Sequence, residues 1–352
     1  MDIRCLCRLC LLLHTLMLMG HPIQASANWM YLGTLGGRVG LACSRGLGPD
    51  GGWLTPAQPR ELCERGPQAL AAVAAGARLA LSHCQRLFRH EPWNCSLHSF
   101  GDTITRGSPE TAFVYALHSA GVAHSVARAC AAGRLRECSC GPGTTTSSSA
   151  GPSGVSQQDA WRWGGCSDDV RAGLRVSRQL GRAAERQQQR GQRAEPLRRA
   201  ANLHNLKAGR LALSGKVRLR CRCHGVSGSC GLRSCWRSLG PLAAVGRVLR
   251  DKYRRSVPLL QRGSRASGPR PRASDLVHVR PSADVCRPGP EGVPVSRGRP
   301  CREPRTCDRL CCGRGFETRT VRRLQRCRCR FHWCCYVTCD VCETRLKTYS
   351  CR

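Results

Sequence analysis

The stretch Lys216-Val-Arg-Leu-Arg-Cys-Arg-Cys-His-Gly-Val-Ser-Gly-Ser-Cys-Gly-Leu-Arg-Ser-Cys-Trp236 predicts a β-hairpin with a glycine- and serine-rich tip. Up to Cys223, apolar residues and cysteines alternate strictly with cations, which is typical of a β-strand. The small residues that follow His224 predict a turn, and the segment from Cys230 to Trp236 predicts a returning strand. Two nested disulfides would close this hairpin across its own strands: Cys223 with Cys230, and Cys221 with Cys235.

The composition of the whole chain points to an exported protein with polyanionic partners. Its 352 residues include 57 Lys or Arg and 22 Asp or Glu, for a net charge of +35. Such an excess favours glycosaminoglycan, anionic lipid or nucleic acid. The basic start, the apolar run Leu9–Met19 and the small residues Ala25-Ser-Ala27 are typical of a secretory signal peptide over residues 1–27. The run is too short to span a bilayer. We therefore expect secretion to the extracellular space or matrix.

The cysteines predict a disulfide framework. The chain has 27 Cys; those outside the signal peptide form two blocks, within residues 43–235 and 286–351, and each block could pair within itself. Cys327-x-Cys329 and Cys339-x-x-Cys342, with His332 nearby, also have the spacing of zinc ligands. Disulfides are favoured because an export route is oxidising, so no metal and no other bound cofactor is expected.

The first two thirds of the chain predict a helix-rich domain over residues 28–240 that carries the hairpin 216–236. Apolar residues at helical intervals predict helices over 62–90, from Ser108 to near Gly133, from Ser167 onward and over about 197–213. Ser108-Pro-Glu110 combines an N-cap hydroxyl, a proline at the first helical position and an acidic first turn. Residues 141–158 predict a loop, and the Gln/Arg stretch 185–195 predicts solvated surface.

The last third predicts a linker and a second, smaller domain. Residues 241–285 are interpreted as an Arg/Pro-rich linker, and 286–352 as a cysteine-rich domain stabilised by disulfides in place of a large apolar core. Within it, 320–330 and 331–338 predict a long hairpin. Its tip would expose Phe331, Trp333, Tyr336 and Val337 beside Cys334-Cys335. The fold class predicted is therefore α+β, with two domains.

The serine at the tip of the first hairpin has several interpretations. Gly225-Val-Ser-Gly-Ser229 is close to the G-x-S-x-G elbow of hydrolases, but Ser229 stands at the last glycine and a strand, not a helix, follows. Such a serine can also serve the turn alone. Elsewhere, Asn94-Cys-Ser96 predicts N-glycosylation of Asn94. No nucleic-acid-binding motif occurs in the sequence, so no nucleic-acid partner is expected.

Several motifs resemble those of one known family. Cys221-Arg-Cys-His-Gly-Val-Ser-Gly-Ser-Cys230, followed by Cys235-Trp236, resembles the hallmark of Wnt signalling proteins. Six further motifs that resemble this family occur in the remainder of the mature chain: Phe88-Arg-His-Glu-Pro-Trp-Asn-Cys95, Glu110-Thr-Ala-Phe-Val-Tyr115, Trp163-Gly-Gly-Cys-Ser-Asp-Asp169, Asn202-Leu-His-Asn205, Cys311-Cys-Gly-Arg-Gly315 and Phe331-His-Trp-Cys-Cys335. Asn28-Trp-Met30 and Phe88-Arg-His-Glu91 are most similar to the vertebrate subgroup numbered sixteen. Leu206-Lys207 stand where Asn-Glu is common in the family.

The resemblance implies how such a ligand would work. It implies that an acyltransferase of the endoplasmic reticulum, Porcupine, esterifies Ser227 with palmitoleate, and that the hairpin 216–236 presents Val226 and the lipid to the cysteine-rich domain of Frizzled. It implies a second contact with the opposite side of that domain and, at its tip, a bond between neighbouring cysteines; the residues of this contact are Phe331, Trp333, Cys334, Cys335, Tyr336 and Val337.

The resemblance also implies a lipoprotein-receptor-related co-receptor, and the cationic surface suits heparan sulfate proteoglycans. The predicted function is thus that of a secreted, lipid-modified and glycosylated ligand that activates Frizzled receptors, and not that of an enzyme. The alternative is a matrix-retained, heparin-binding antagonist of the same receptors.

Overall fold

The computed structural model describes residues 29–34, 65–96, 100–141, 162–191, 195–231, 233–259, 270–287 and 296–352. The helices are α1 (Pro67–Leu87), α2 (Phe100–Arg106), α3 (Pro109–Ala131), α4 (Val170–Gly191), α5 (Pro196–Ser214), α6 (Leu242–Tyr253) and α7 (Pro304–Leu310). The strands are β1 (Arg162–Gly164), β2 (Val217–Cys223), β3 (Arg233–Leu239), β4 (Val257–Pro258), β5 (Val277–His278), β6 (Pro300–Cys301), β7 (Phe316–His332) and β8 (Tyr336–Cys351). The signal peptide 1–27, Cys43, Cys63 and most of the loop 141–158 lie outside the described residues.

The predicted α+β class is confirmed, and α3 is the centre of the helical domain. Its residues are apolar on nearly every side and almost all are buried, which is the pattern of a helix surrounded by others. α1, α4, α5 and α6 pack around it. As predicted, the helix begins after Ser108, whose backbone N–H donates to Thr111 Oγ1 at 3.0 Å. The other three predicted helices are confirmed as α1, α4 and α5.

Small residues let the outer helices approach α3 closely. A Cβ on Gly76 would lie 2.6 Å from the Gly121 carbonyl oxygen, and a Cβ on Gly121 would lie 2.5 Å from that of Gly76, so α1 and α3 cross where neither has a side chain. At Gly209 of α5, a Cβ would lie 1.9 Å from the Ala116 carbonyl oxygen. Any larger residue at these positions would push the helices apart.

The prediction of a linker over 241–285 is wrong for much of its length. Residues 242–253 form α6, whose Leu242, Val245 and Leu249 are buried in the core of the helical domain. Farther along, β4 and β5 pair in parallel, and Leu276 and Val277 are buried in the same core. The high Arg and Pro content of the segment led to the linker prediction, although its apolar residues occur at helical spacing. Burial of those apolar residues makes the segment part of the helical domain.

The Asn202-Leu-His-Asn205 motif holds this segment against α5. Asn205 donates from Nδ2 to the Val277 carbonyl at 2.8 Å and accepts from the Val277 N–H at 2.9 Å. His204 Nε2 lies 3.0 Å from the Asp275 carbonyl oxygen. Asn202 donates to Glu185 at 3.1 Å, and both side chains are buried. Glu185 therefore corrects the prediction that 185–195 are solvated throughout.

The C-terminal domain is a long hairpin on a small cysteine core. β8 lies between β6 and β7 and pairs antiparallel with both. The buried cluster beneath the hairpin consists of Leu310 and four cysteines, Cys301, Cys307, Cys311 and Cys351. Such a core supplies little apolar burial, so the disulfides take over much of the stabilisation, as predicted. Within the described part of the chain, no helix is both long and apolar enough to cross a membrane.

Candidate functional site

The predicted hairpin 216–236 is formed by β2 and β3 and projects from the helical domain. The strands are antiparallel, with Cys221 opposite Cys235, and both nested disulfides form as predicted, Cys221–Cys235 and Cys223–Cys230. β3 also pairs with β1, and the Asp168 carboxylate accepts from the Leu239 N–H at 2.7 Å, so the base is anchored. β2 is largely exposed along its length, so cross-strand disulfides replace packing in fixing its shape.

The tip of this hairpin is a tight turn that requires glycine. The Gly225 N–H donates to the Ser229 carbonyl at 2.9 Å, and the Gly228 N–H donates to the Gly225 carbonyl at 2.9 Å. A Cβ at position 225 would lie 2.0 Å from Ser229 Oγ. Gly228 has φ +78°, in the left-handed region where glycine carries no steric cost.

Ser227 lies at the exposed apex of this turn. Its backbone is left-handed (φ 56°, ψ 26°), which is uncommon for a residue with a side chain, and the residue is exposed. Val226 beside it is 89% exposed, so an apolar side chain lies in water next to the hydroxyl. A strained serine and an exposed valine at the end of a rigid arm are features of a binding element.

The surroundings of the Ser227 hydroxyl differ from those of a nucleophilic serine. A nucleophile needs a base within hydrogen-bonding reach. The imidazole of His224 bonds instead to Ser234, with Nε2 3.0 Å from Oγ. Among the described residues, no carboxylate or imidazole contacts Ser227. The hydroxyl is accessible to a large partner, and its own hairpin provides no general base.

The second predicted contact lies at the far end of the C-terminal hairpin. β7 and β8 pair up to His332 opposite Tyr336, whose rings stack with centroids 4.8 Å apart. The turn between the strands carries Trp333, which is 92% exposed. Phe331 and Val337 face each other across the strands and are 70% and 55% exposed. The predicted apolar tip is therefore present, although the turn comes two residues after the predicted break at Phe331.

Cys334 and Cys335 form the apex of that turn. Both have left-handed backbones, with φ 69° and 96°. Their sulfurs lie 3.3 Å apart and both are exposed thiols, so the structure does not contain the bond between them that the resemblance implied. The hydrogen bond with Cys334 raises the pKa of the Cys335 thiol. The pair is close enough for oxidation to a vicinal disulfide after a small movement.

The other described cysteines pair within their own blocks, as predicted. The four cysteines with zinc-like spacing are joined as Cys327–Cys342 and Cys329–Cys339, which takes their thiolates away from a metal. His332 contacts Thr338 Oγ1 at 2.8 Å. Cys301, Cys311 and Cys351 have clustered sulfurs, but each belongs to a disulfide.

Asn94, the predicted glycosylation site, lies beside a basic cleft between the two domains. The cleft, of about 570 Å³, is also lined by Arg89, Arg299 and Arg302. The Asn94 Oδ1 atom is buried and has no hydrogen-bond partner among the described residues. A glycan on Asn94 would therefore be attached at this cleft.

Glu91 and Arg299, to which the sequence assigned no role, join the two domains. Glu91 accepts from Arg309 of α7 at 2.7 Å and from Arg250 of α6 at 3.4 Å. Arg299 donates to the Pro92 carbonyl at 2.6 Å. The Phe88–Cys95 motif therefore holds the C-terminal domain against the helices and thereby helps to set where the two tips lie. The signal for this role in the sequence was the presence of charged residues within the Phe88–Cys95 motif.

Comparison with known proteins finds relatives over most of the chain. A family model described as "wnt family" matches residues 52–352. The chain is 37% identical over 355 residues to Protein Wnt-16 of Bos taurus, covering 94% of each chain. It is 37% identical to Protein Wnt-2b of Homo sapiens, over 94% of this chain and 84% of that protein. A chain from a solved structure of human WLS in complex with WNT8A matches with a TM-score of 0.58 and 30% identity, over 83% of this chain and 99% of that one.

Proposed function

The chain belongs to the Wnt family of signalling proteins, and from this premise we propose that it is an exported ligand that presents an acyl chain on Ser227 to a Frizzled receptor. The observation that carries the proposal is the position of Ser227, exposed with a left-handed backbone at the apex of a hairpin closed by two disulfides. The partners are those expected from the sequence: Porcupine during export, the Frizzled cysteine-rich domain and a lipoprotein-receptor-related co-receptor at the cell surface.

The shape of the hairpin suits both addition and delivery of a lipid. An exposed hydroxyl on a narrow arm can enter the active site of a membrane-bound acyltransferase, since nothing in its own turn hydrogen-bonds it among the described residues. Each CH₂ buried in a receptor groove contributes about 0.8 kcal/mol, so six of them contribute about 5 kcal/mol. Val226, already in water, would add apolar burial at the same place.

The C-terminal tip supports a second contact with the same receptor. Trp333 and Phe331 are large apolar side chains that the fold leaves in water, and such residues commonly dominate the energy of protein interfaces. Two contacts on one body raise the effective concentration of the second once the first has formed. The cross-strand disulfides and the Glu91 contacts reduce the ordering cost of presenting both tips together.

Export would require a carrier for the lipid. A relative, WNT8A, has been solved in complex with human WLS. We propose a similar carrier for this chain, because one acyl chain binds membranes only marginally and is poorly solvated in water.

A second candidate function is a matrix-retained antagonist that occupies the same receptors without activating them. The net charge of +35 favours it, since strong retention on sulfated polysaccharide would limit diffusion. A receptor reporter assay separates the two: activation by purified protein supports the ligand, and suppression of another ligand without activation supports the antagonist.

The acyl chain is tested by comparing Ser227→Ala with Ser229→Ala, a matched change two residues away in the same exposed tip. Exported wild-type protein and the Ser229→Ala variant should carry an acyl adduct on the tip peptide by mass spectrometry and bind the Frizzled domain. Ser227→Ala should lack both. Active exported protein with an unmodified tip peptide, or full activity of Ser227→Ala, would refute the proposal.

A further inference from the structure

The helical domain contains a cavity that neither hairpin uses. The cavity has a volume of about 580 Å³, which is within the range of pockets that bind small ligands. It lies between α1, α3, α4 and the loop that follows α3. None of its described lining residues belongs to β2, β3, β7 or β8, so its chemistry is separate from that of Ser227 and Trp333.

One wall of the cavity is a loop that is held in place by the end of α3. Gly133 has φ +67°, and the Arg134 N–H donates to the Ala129 carbonyl at 2.9 Å, so the chain turns back after the helix. The disulfide Cys130–Cys138 then joins the far end of the loop to the last turn of α3. This covalent closure limits the conformational freedom of the loop and keeps the wall in position.

The interior of the cavity is aliphatic. Buried or half-buried side chains from three helices and the loop contribute to it: Val73, Val126, Leu135, Ala172 and Val176. None of these side chains has a hydrogen-bonding group. A peptide in this position would have backbone amides without partners, which is unfavourable, whereas a hydrocarbon chain would be stabilised by burial.

The mouth of the cavity is cationic. Arg65, Arg136 and Arg175 are exposed there, together with one carboxylate, that of Glu137. Arg65 already contacts Glu137 at 3.5 Å and donates to Gln179 at 3.1 Å. Arg136 and Arg175 have neither an ion pair nor a side-chain hydrogen bond among the described residues. Two guanidinium groups are therefore available to an anionic group, and carboxylates match the geometry of guanidinium donors.

We propose that this cavity binds a free fatty acid, with its hydrocarbon chain against the aliphatic interior and its carboxylate at Arg136 and Arg175. The combination of an apolar cavity with few cations at its mouth carries the inference. A polymer with repeating charges would not use the interior, and a neutral apolar molecule would not use the cations. The inference goes beyond the proposed function, which concerns an acyl chain covalently attached to Ser227.

The cavity suits a single free molecule better than a bilayer surface. Binding at a membrane interface needs large apolar side chains exposed beside the cations, where they can enter the acyl region. Among the described lining residues, Pro67 is the only exposed one whose side chain is not polar or charged. The aliphatic side chains lie deeper, so a ligand has to enter the cavity to reach them.

The first test compares three probes on the unmodified, full-length exported chain. Decanoate has both parts of the proposed ligand, decan-1-ol lacks the charge, and acetate lacks the hydrocarbon chain. Isothermal titration calorimetry is carried out below the concentration at which decanoate forms micelles. Decanoate should bind saturably at one site, and decan-1-ol about tenfold more weakly because it lacks the charge-assisted hydrogen bonds. Acetate should show no measurable binding, since it buries little apolar surface.

The second test removes the two available cations. The variant Arg136→Gln/Arg175→Gln is compared with Arg134→Gln/Arg171→Gln, which removes two exposed cations from the same loop and the same helix but outside the cavity lining. The first variant should bind decanoate about tenfold or more weakly and decan-1-ol as wild type does. The control should change decanoate affinity by less than about twofold, because its cations do not contact the ligand.

The third test fills the cavity. Ala69 of α1 lines it and is half-buried, whereas Ala71 is exposed on the same helix and does not line it. Ala69→Phe should prevent binding of both decanoate and decan-1-ol, and Ala71→Phe should bind both as wild type does. If Ala69→Phe lowers the unfolding midpoint, the probe comparison and the glutamine variants, which change only exposed side chains, decide the question.

Each variant is measured with Ser227 intact and again with Ser227→Ala. The second background removes the proposed acyl group as a competitor, so the outcome does not depend on whether Ser227 is acylated. Equal affinity for decanoate and decan-1-ol, equal losses in the two glutamine variants, or wild-type binding by a correctly folded Ala69→Phe variant would overturn the proposal. Binding to phosphatidylserine vesicles that requires Arg136 and Arg175, without binding of monomeric decanoate, would assign these cations to membranes and would also overturn it.

Discussion

Replacing Glu185 by Gln should stabilise the protein in a pH-dependent way. Glu185 of α4 is 2% exposed, and burial raises the pKa of its carboxyl from 4.5 to about 7. Opposing contributions come from the Asn202 and Tyr115 hydrogen bonds and from the charges of Arg198 and Arg199, all of which favour the ionised form. Desolvation dominates, so the folded protein prefers a neutral carboxyl at this position.

The sign and size of the effect follow from the two pKa values. The folded-state pKa is the higher one, so the contribution of Glu185 to stability is fully present below about pH 4.5 and is lost as the pH rises through 7. Each pKa difference of one corresponds to 1.36 kcal/mol, so the loss reaches about 3 kcal/mol above pH 7. Glutamine keeps the shape and the acceptor for Asn202 but never ionises.

The assay is thermal unfolding of wild type, Glu185→Gln and Glu195→Gln from pH 5 to pH 8. Glu195, which pairs with Arg280 at 3.6 Å on the surface, is the control and should change stability little at any pH. Glu185→Gln should unfold within about 3 °C of wild type at pH 5 and about 5–10 °C higher at pH 8. A difference that is constant across this range, or a destabilised variant at pH 8, would show that desolvation does not govern this carboxyl.

Three further predictions concern the two tips and the segment after α5. Asn205→Ala should destabilise the protein by about 3 kcal/mol in urea unfolding, because two backbone groups of Val277 lose their partner inside the core; a change below about 1 kcal/mol would contradict this role. Trp333→Ala should leave unfolding unchanged within about 0.5 kcal/mol and weaken Frizzled-domain binding about tenfold or more, whereas unchanged binding would remove Trp333 from the interface. The double change Cys221→Ser/Cys235→Ser should remove a disulfide that contributes about 3 kcal/mol to stability and should weaken receptor binding. Unchanged receptor affinity would show that the remaining disulfide, Cys223–Cys230, is sufficient to hold the tip.

The contacts between the domains give the two tips a common frame. Glu91 contacts α6 and α7 at once, and Arg299 reaches the carbonyl of Pro92. The proposed binding of one receptor through both tips depends on this fixed arrangement, because flexibility between the two hairpins would reduce the effective concentration of the second contact.

Local features of the fold were predictable because their signals are local. The alternation from Val217 to Cys223 and the close spacing of its cysteines fixed both the strand and its nested disulfides. The start of α3 at Pro109 followed from capping residues within four positions. The apolar tip near Trp333 was visible for the same reason, since hydrophobic residues between closely spaced cysteines have little core to enter.

Other features had no readable signal along the chain. The stretch 242–253 was interpreted as a linker because of the cations and prolines in and around it, and the burial of its apolar residues depended on contacts with the other helices of the core. Glu185 lay in a Gln/Arg-rich stretch, and its burial follows from the position of Asn202 on the next helix.

By itself, the sequence determined the class of the fold, the hairpin with Ser227 at its apex and the dependence of the C-terminal domain on disulfides. These depend on residues close together in the chain, whose geometry is set by strand and helix periods and by loop closure. Only the tertiary structure decided that α6 belongs to the core, that Glu91 joins two domains and that Glu185 is buried against Asn202. The physical reason is that these pairings depend on how the helices pack around α3, and this packing rests on contacts between residues far apart in the sequence, such as the close approaches of Gly76 to Gly121 and of Gly209 to Ala116.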